Sequence, residues 1–186
     1  DGYCAYNTFD GVQGITTLNC WAHARRKFID AQSFDNEKAS EVLTQIQLLY
    51  AVESHCVDNN YTAEEIKNYR QKNAVPVLAT LHQILQTQLT NSLPKSPIGK
   101  ALHYTLSRWD KLNVYLQDGK LKIDNNLVEN SVRPVAIGRK NYLFAGNHEA
   151  AGRSAMLYSL FATCKLHKVN PIQWLTYVFE NINDHK

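Results

Sequence analysis

Two carboxylates and a string of cations mark where this chain could do chemistry. Glu129 stands in the run Asp124-Asn125-Asn126-Leu127-Val128-Glu129-Asn130-Ser131-Val132-Arg133-Pro134, which continues to Gly138-Arg139-Lys140-Asn141. The second carboxylate, Asp1, opens the segment Asp1-Gly2-Tyr3-Cys4-Ala5-Tyr6. Hard oxygen donors suit Mg²⁺, which is small and keeps much of its water, and nearby positive charge holds a polyanion close. Metal-dependent chemistry on a phosphodiester needs both. The residues alone leave a plainer reading open. Glu129, three residues after Asn126, has the spacing of a back-reaching Glu in a helix cap, and Asp1 by itself is a terminal residue.

Arg133, Arg139 and Lys140 are candidates for phosphate contact, with Asn141 able to hydrogen-bond backbone or sugar. Arg25, Arg26 and Lys27, in Cys20-Trp21-Ala22-His23-Ala24-Arg25-Arg26-Lys27-Phe28, form a second basic group. For both groups the competing reading is ordinary solvated surface. Cys20 and His23 have zinc-like spacing, but no second Cys/His pair stands nearby to complete a tetrahedral site, so a buried Cys and a hydrogen-bonded His are expected. Trp21, Trp109 and Trp174 fall on helical stripes and read as core residues.

These segments together resemble the DDE transposases of bacterial insertion sequences, most closely the insertion-sequence-sixty-six type, also called transposase C. The resemblance runs from Asp1 to about Ile182. It implies that Asp1 is the second Asp of the DDE triad and Glu129 its Glu, both catalytic and both ligands of Mg²⁺ or Mn²⁺, with two ions in the complete enzyme. Asp124, Asn125 and Asn126 would then make the turn and cap that orient the Glu129 helix without ligating metal. The triad's first Asp has no counterpart here and would lie upstream of Asp1. The chain opens on Asp1 without an initiating Met and reads as part of a longer protein. By itself it is expected to bind no metal and to neither cleave nor join DNA.

Composition agrees with a folded partner of nucleic acid. A hydrophobic fraction of 44% with 10% aromatics argues against a disordered tail, and the chain is long enough for a real core. The net charge of +3 is unevenly spread: residues 120–186 carry nine Lys and Arg against five Asp and Glu, while residues 1–119 carry eleven against twelve. The basic excess thus coincides with the Glu129 segment. Cys4, Cys20, Cys56 and Cys164 form no CxxC pair, as expected of reduced thiols. No apolar run approaches a membrane span. A bacterial cytoplasmic, nucleoid-associated location follows as the expectation.

The elements that must position these groups are mostly helices. Residues 15–20 are the best strand candidate, bounded by Gly14 and rich in β-branched residues. A helix should follow, with Trp21, Ala24, Phe28 and Ala31 on one face. Glu37 to about Cys56 has helical spacing, Thr62-Ala63-Glu64-Glu65 matches a capping box, and that helix should break or kink near Pro76. Ser96-Pro97 starts a helix running to about Gln117. Pro134 should end the Glu129 helix, leaving Arg139 and Lys140 in a loop freed by Gly138. Ala150 to Lys168 should bury Leu157, Leu160, Phe161 and Cys164, and the helix after Asn170-Pro171 should bury Ile172, Leu175, Phe179 and Ile182.

The resemblance implies a ribonuclease-H-like catalytic core. Combined with the helical stripes, it gives a mostly α chain with few short strands: residues 1–34 as the end of the core, 35–117 as an all-helical insertion, and 118–186 as the return carrying the Glu helix. The implied function is metal-dependent strand cleavage and transfer at insertion-sequence ends. The implied partners are transposon-end DNA, further copies of the protein in a transposition complex, and accessory insertion-sequence proteins. Two rivals stay open: a non-catalytic DNA-binding or assembly module derived from a transposase, and a helical interaction domain with no DNA role.

Overall fold

The computed structural model describes residues 2–184, and Asp1 lies outside the described residues. After a 3-10 turn at Cys4–Phe9, the chain forms α1 (Trp21–Ala31), α2 (Asn36–Asp58), α3 (Ala63–Thr90), α4 (Pro97–Leu106) and the short α5 (Trp109–Asn113), followed by a 3-10 turn at Val114–Gln117. Next come α6 (Asn126–Tyr142), α7 (His148–Leu166) and α8 (Pro171–Asn181). The chain divides into two compact units, Asp1–Asn125 and Asn126–Lys186.

Helix starts follow their capping chemistry. Asp35 accepts from Lys38 N at the head of α2, and Thr62 and Glu65 form the reciprocal capping box of α3. Ser96 caps α4 ahead of Pro97, Asn147 caps α7, and Asn170 caps α8 ahead of Pro171.

The first unit builds a continuous core. Trp21 and Phe28 of α1 meet Val42, Ile46 and Leu49 of α2, Leu81 and Leu85 of α3, and Ile98 and Leu102 of α4, all buried. Trp21 and Trp109 meet edge to face at 5.8 Å, and the indole N–H of Trp21 donates to the carbonyl of Leu112 at 2.9 Å. A buried indole thereby keeps its polar atom satisfied.

Three expectations need correction here. The described residues contain no strand, neither at residues 15–20 nor elsewhere. β-branched residues favour a strand only when a neighbouring strand supplies the ladder. Asn19 N instead donates to Lys111 O, and Trp21 N to Ile123 O. Pro76 does not end its helix: α3 continues from Ala63 to Thr90, its buried stripe of Ala74, Leu78, Leu81 and Leu85 spanning both sides of the proline. Tertiary burial offsets the roughly 3 kcal/mol that an interior Pro costs. The segment 96–117 is not one helix, since it breaks at Ser107 and Arg108 into α4 and α5.

The second unit contains α6, α7 and α8. Of its expected buried stripe on α8, Ile172, Phe179 and Ile182 are exposed, as are Leu157 and Leu160 on α7. Cys164 is its one buried hydrophobic among the described residues. Helical spacing identifies the apolar face of a helix but not whether a neighbour covers it. Phe161 and Trp174 meet edge to face at 6.3 Å, joining α7 to α8.

Candidate functional site

The loop entering the Glu129 segment is held from below by side chains of α2 and α3. Arg70 of α3 is buried and uses all five guanidinium donors. Nε and Nη2 donate to the two carboxylate oxygens of Glu53 on α2, at 2.8 and 2.6 Å. Nη1 donates to the carbonyls of Tyr115 (2.8 Å) and Asp118 (3.0 Å), and Nη2 also to that of Leu121 (2.9 Å). The guanidinium lies 5.0 Å from the centre of the Tyr115 ring. A planar fork with this many fixed donors suits a loop whose carbonyls have no regular ladder to join. Gly119 is needed in the same loop, because a side-chain carbon there would run into the backbone of Ala63.

Further along, Tyr50 of α2 donates its hydroxyl to Oδ2 of Asp124 at 3.0 Å. Burial lifts the Tyr50 hydroxyl far above its ordinary value. The Asp124 charge and the bond to Asp124 push the same way, while Arg25 pulls against them. Asp124 is thus held as an acceptor at the end of the first unit, and Asn125 is exposed beside it.

Glu129 stands exposed in the first turn of α6, where a carboxylate is favoured by the helix dipole. Asn126 is the first residue of that helix. Contrary to expectation, Pro134 does not end α6, which runs on to Tyr142. Arg133, Arg139, Lys140 and Asn141 therefore sit on the same helix as Glu129, and the basic loop does not exist. Gly138 serves packing instead. A side-chain carbon there would collide with the Tyr158 hydroxyl, which lies 3.2 Å from that of Tyr142. At 3.6 residues per turn, Glu129, Arg133 and Lys140 fall along one stripe, and Arg139 and Asn141 fall off it. Arg139 and Lys140 in the last turn also suit the negative end of the dipole.

On α1, Arg25, Arg26 and Lys27 are all exposed but diverge. Arg25 is close enough to Tyr50 to act on its ionisation, whereas Lys27 Nζ lies 5.7 Å from the Tyr104 ring centre on α4. Successive helical residues point about 100° apart, so a run of three cations cannot serve one face. Cys20 is buried at the head of α1. Among the described residues no group of three or more His, Cys, Asp or Glu could hold a metal ion.

Sequence comparison decides the family. Residues 1–153 match the model described as Transposase IS66 family, and residues 159–186 match the IS66 C-terminal element. The chain belongs to the IS66 transposase family.

Its similar relatives include three uncharacterized proteins of Sinorhizobium fredii (strain NBRC 101917 / NGR234). The protein y4jD is 35% identical over 189 residues, covering 98% of this chain and 37% of the relative. The protein y4qI is 34% identical over 191 residues, covering 98% and 35%. The protein y4hP is 32% identical over 184 residues, covering 92% and 33%. The chain thus spans about a third of the length of the curated relatives it matches. No solved structure matches it. Among the described residues, no helix is long and apolar enough to cross a membrane.

Within this IS66 chain, sequence reasoning missed Tyr50, Arg70 and Glu53. A signal existed for Arg70: it extends the stripe of Ala74, Leu78, Leu81 and Leu85 by one turn, so a cation falls where the pattern calls for a buried residue. Tyr50 carried no such signal, because its partner is 74 residues away.

Proposed function

We propose that this chain is part of an IS66 transposase that cleaves and transfers DNA strands at the ends of an insertion element. It would contribute Asp1 and Glu129 to a Mg²⁺- or Mn²⁺-dependent site. The observation that supports this most is the family match across residues 1–153, which takes in both carboxylate segments. The described residues alone do not make a metal site. The reading therefore takes the remaining ligand from elsewhere in a polypeptide of the relatives' length, within a ribonuclease-H-like core. What this chain's own residues do is clearer. Arg70 and Tyr50 fix the loop and Asp124 ahead of α6, and the stripe of Arg133 and Lys140 places positive charge along the helix that bears Glu129.

The test uses the full-length protein with labelled duplex from the ends of its own element, in the presence of Mg²⁺ or Mn²⁺. Glu129→Gln is expected to abolish strand transfer while end-DNA binding stays close to wild type. Transfer that survives this substitution would remove Glu129 from the chemistry and leave a DNA-holding or assembly module.

A further inference from the structure

Arg108, between α4 and α5, and Lys27 of α1 converge on one aromatic ring. The Arg108 guanidinium carbon lies 4.2 Å from the centre of the Tyr104 ring, and Lys27 Nζ lies 5.7 Å from it. Arg108 Nη1 is also steadied by Ser107 Oγ at 3.1 Å and the Tyr104 carbonyl at 3.4 Å. The Tyr104 ring is half-buried; burial raises its hydroxyl above the ordinary value, and Arg108 works against that shift.

A cation held in place on a protein surface is ordinarily neutralised by a carboxylate. Lys111 is paired in this way with Asp10 at 2.7 Å, and Arg70 with Glu53. Neither Lys27 nor Arg108 makes an ion pair with a described carboxylate. The aromatic face stabilises the two cations without neutralising them, so their charge stays available to an external anion. Lys100, exposed one turn before Tyr104 on α4, adds a third cation at i−4. The location also matters. Gly2, next in sequence to Asp1, packs so closely on the Arg108 guanidinium that a side-chain carbon there would collide with it, and its φ of +75° suits glycine.

We propose that Lys27 and Arg108, set in place by the Tyr104 ring, form a contact site for the DNA sugar–phosphate backbone beside Gly2. The inference rests on the DNA-processing reading above; it takes Lys27 from the basic run on α1 and adds Arg108 and Tyr104, which lie outside both basic runs. Lys27 and Arg108 are the contacts, and Tyr104 is the positioning residue. The ring carries a cation on it, so it acts as a mount for the charges and not as a base-stacking platform.

The test is a salt titration of the full chain with a fluorescein-labelled short duplex of arbitrary sequence. It compares wild type, Lys27→Gln, Arg108→Gln and their double variant with a control, Lys72→Gln combined with Lys95→Gln, which removes the same charge at exposed positions elsewhere. Each lost phosphate contact should flatten the plot of log affinity against log salt by roughly 0.9. The double variant should lose about twice that, and the control should match wild type. A far-ultraviolet spectrum equal to wild type qualifies each variant, and Lys27→Gln, altering an exposed side chain, carries the test alone if Arg108→Gln unfolds. If wild type binds and the double variant matches it, or the control falls equally, the site is overturned while DNA binding by the chain stands. If wild type does not bind duplex at all, the site and this chain's part in DNA holding fall together.

Discussion

Tyr50 and Asp124, 74 residues apart, are joined by a 3.0 Å hydrogen bond that ties the middle of α2 to the acidic segment preceding α6. A phenol donating to a carboxylate is a charge-assisted bond, worth more than a neutral one. Because Tyr50 is half-buried, removing its hydroxyl leaves Asp124 to be solvated by water rather than stranded. Tyr50→Phe should cost about 1–2 kcal/mol in urea denaturation.

The same residue predicts a pH dependence. Burial holds the Tyr50 hydroxyl above its ordinary value of 10.0, with the Asp124 charge adding to the effect, and burial also raises Tyr115. A raised folded value means that the folded state keeps its proton when the unfolded chain has begun to lose it. The stabilisation is complete below the unfolded value and is lost as pH rises beyond it. Urea midpoints measured upward from about pH 8 to pH 11 should fall, and fall less in Tyr50→Phe. Equal slopes for the two proteins would show that Tyr50 ionises as freely in the fold as in the unfolded chain.

Arg70 and Glu53 make a further prediction. Glu53→Ala strands a guanidinium that is almost wholly buried, although three carbonyls still receive its protons. The expected loss is about 3–5 kcal/mol, as for other buried pairs broken on one side. Arg70→Met should also destabilise, for a different reason: the carbonyls of Tyr115, Asp118 and Leu121 lose their donor together. Hydrogen exchange should separate the two variants, with amides of residues 115–124 opening faster in Arg70→Met.

How much of this was legible in the sequence depends on the range of each interaction. The capping box at Thr62 and Glu65, and the caps at Ser96 and Asn170, were readable because donor and acceptor lie within one turn. The core faces of α1 and α2 were readable from spacing, since long helices pack there on both sides. The continuation of α3 past Pro76 and of α6 past Pro134 was not, because a proline's local cost is visible in sequence and the packing that opposes it is not. The exposed Ile172 and Phe179 fail in the opposite sense: the stripe is present, and within the unit nothing among the described residues buries it. At the candidate site, the acidic and basic residue types were readable, but the anchoring of Asp124 by Tyr50 and of the 115–121 carbonyls by Arg70 needed contacts between residues far apart in sequence.

Two glycines give a contrast. Added side-chain carbons at Gly119 and Gly138 would each collide with a neighbour, but the neighbours differ in kind. At Gly119 it is the backbone of Ala63 in the first turn of α3, which cannot move without disturbing that helix start. Gly119→Ala should destabilise by roughly 1–3 kcal/mol. At Gly138 it is the tip of Tyr158, which can swing away, and alanine is favoured over glycine in a helix by up to about 1 kcal/mol. Gly138→Ala should therefore be near neutral in thermal melts while separating the Tyr142 and Tyr158 hydroxyls. The phenol pair holds the Tyr142 hydroxyl above its ordinary value. A lowered tyrosine titration by ultraviolet absorbance would report the separation.

The capping box of α3 supplies the last prediction. Thr62 Oγ1 accepts from Glu65 N at 3.4 Å, and the Glu65 carboxylate receives both Thr62 N and the Thr62 hydroxyl at 2.7 Å. Removing the cap with Thr62→Ala should cost about 1 kcal/mol. The bonds from the Thr62 backbone and then its hydroxyl hold the Glu65 carboxyl below its ordinary value. A depressed folded value means that the ionised form is favoured by folding. This contribution is present above the unfolded value and is lost as pH falls through the folded one. Glu65→Gln should therefore be less stable than wild type near neutral pH, and the two should converge in acid. A gap that persists unchanged through acid titration would mean that Glu65 acts through its length and packing at the start of α3, without its charge.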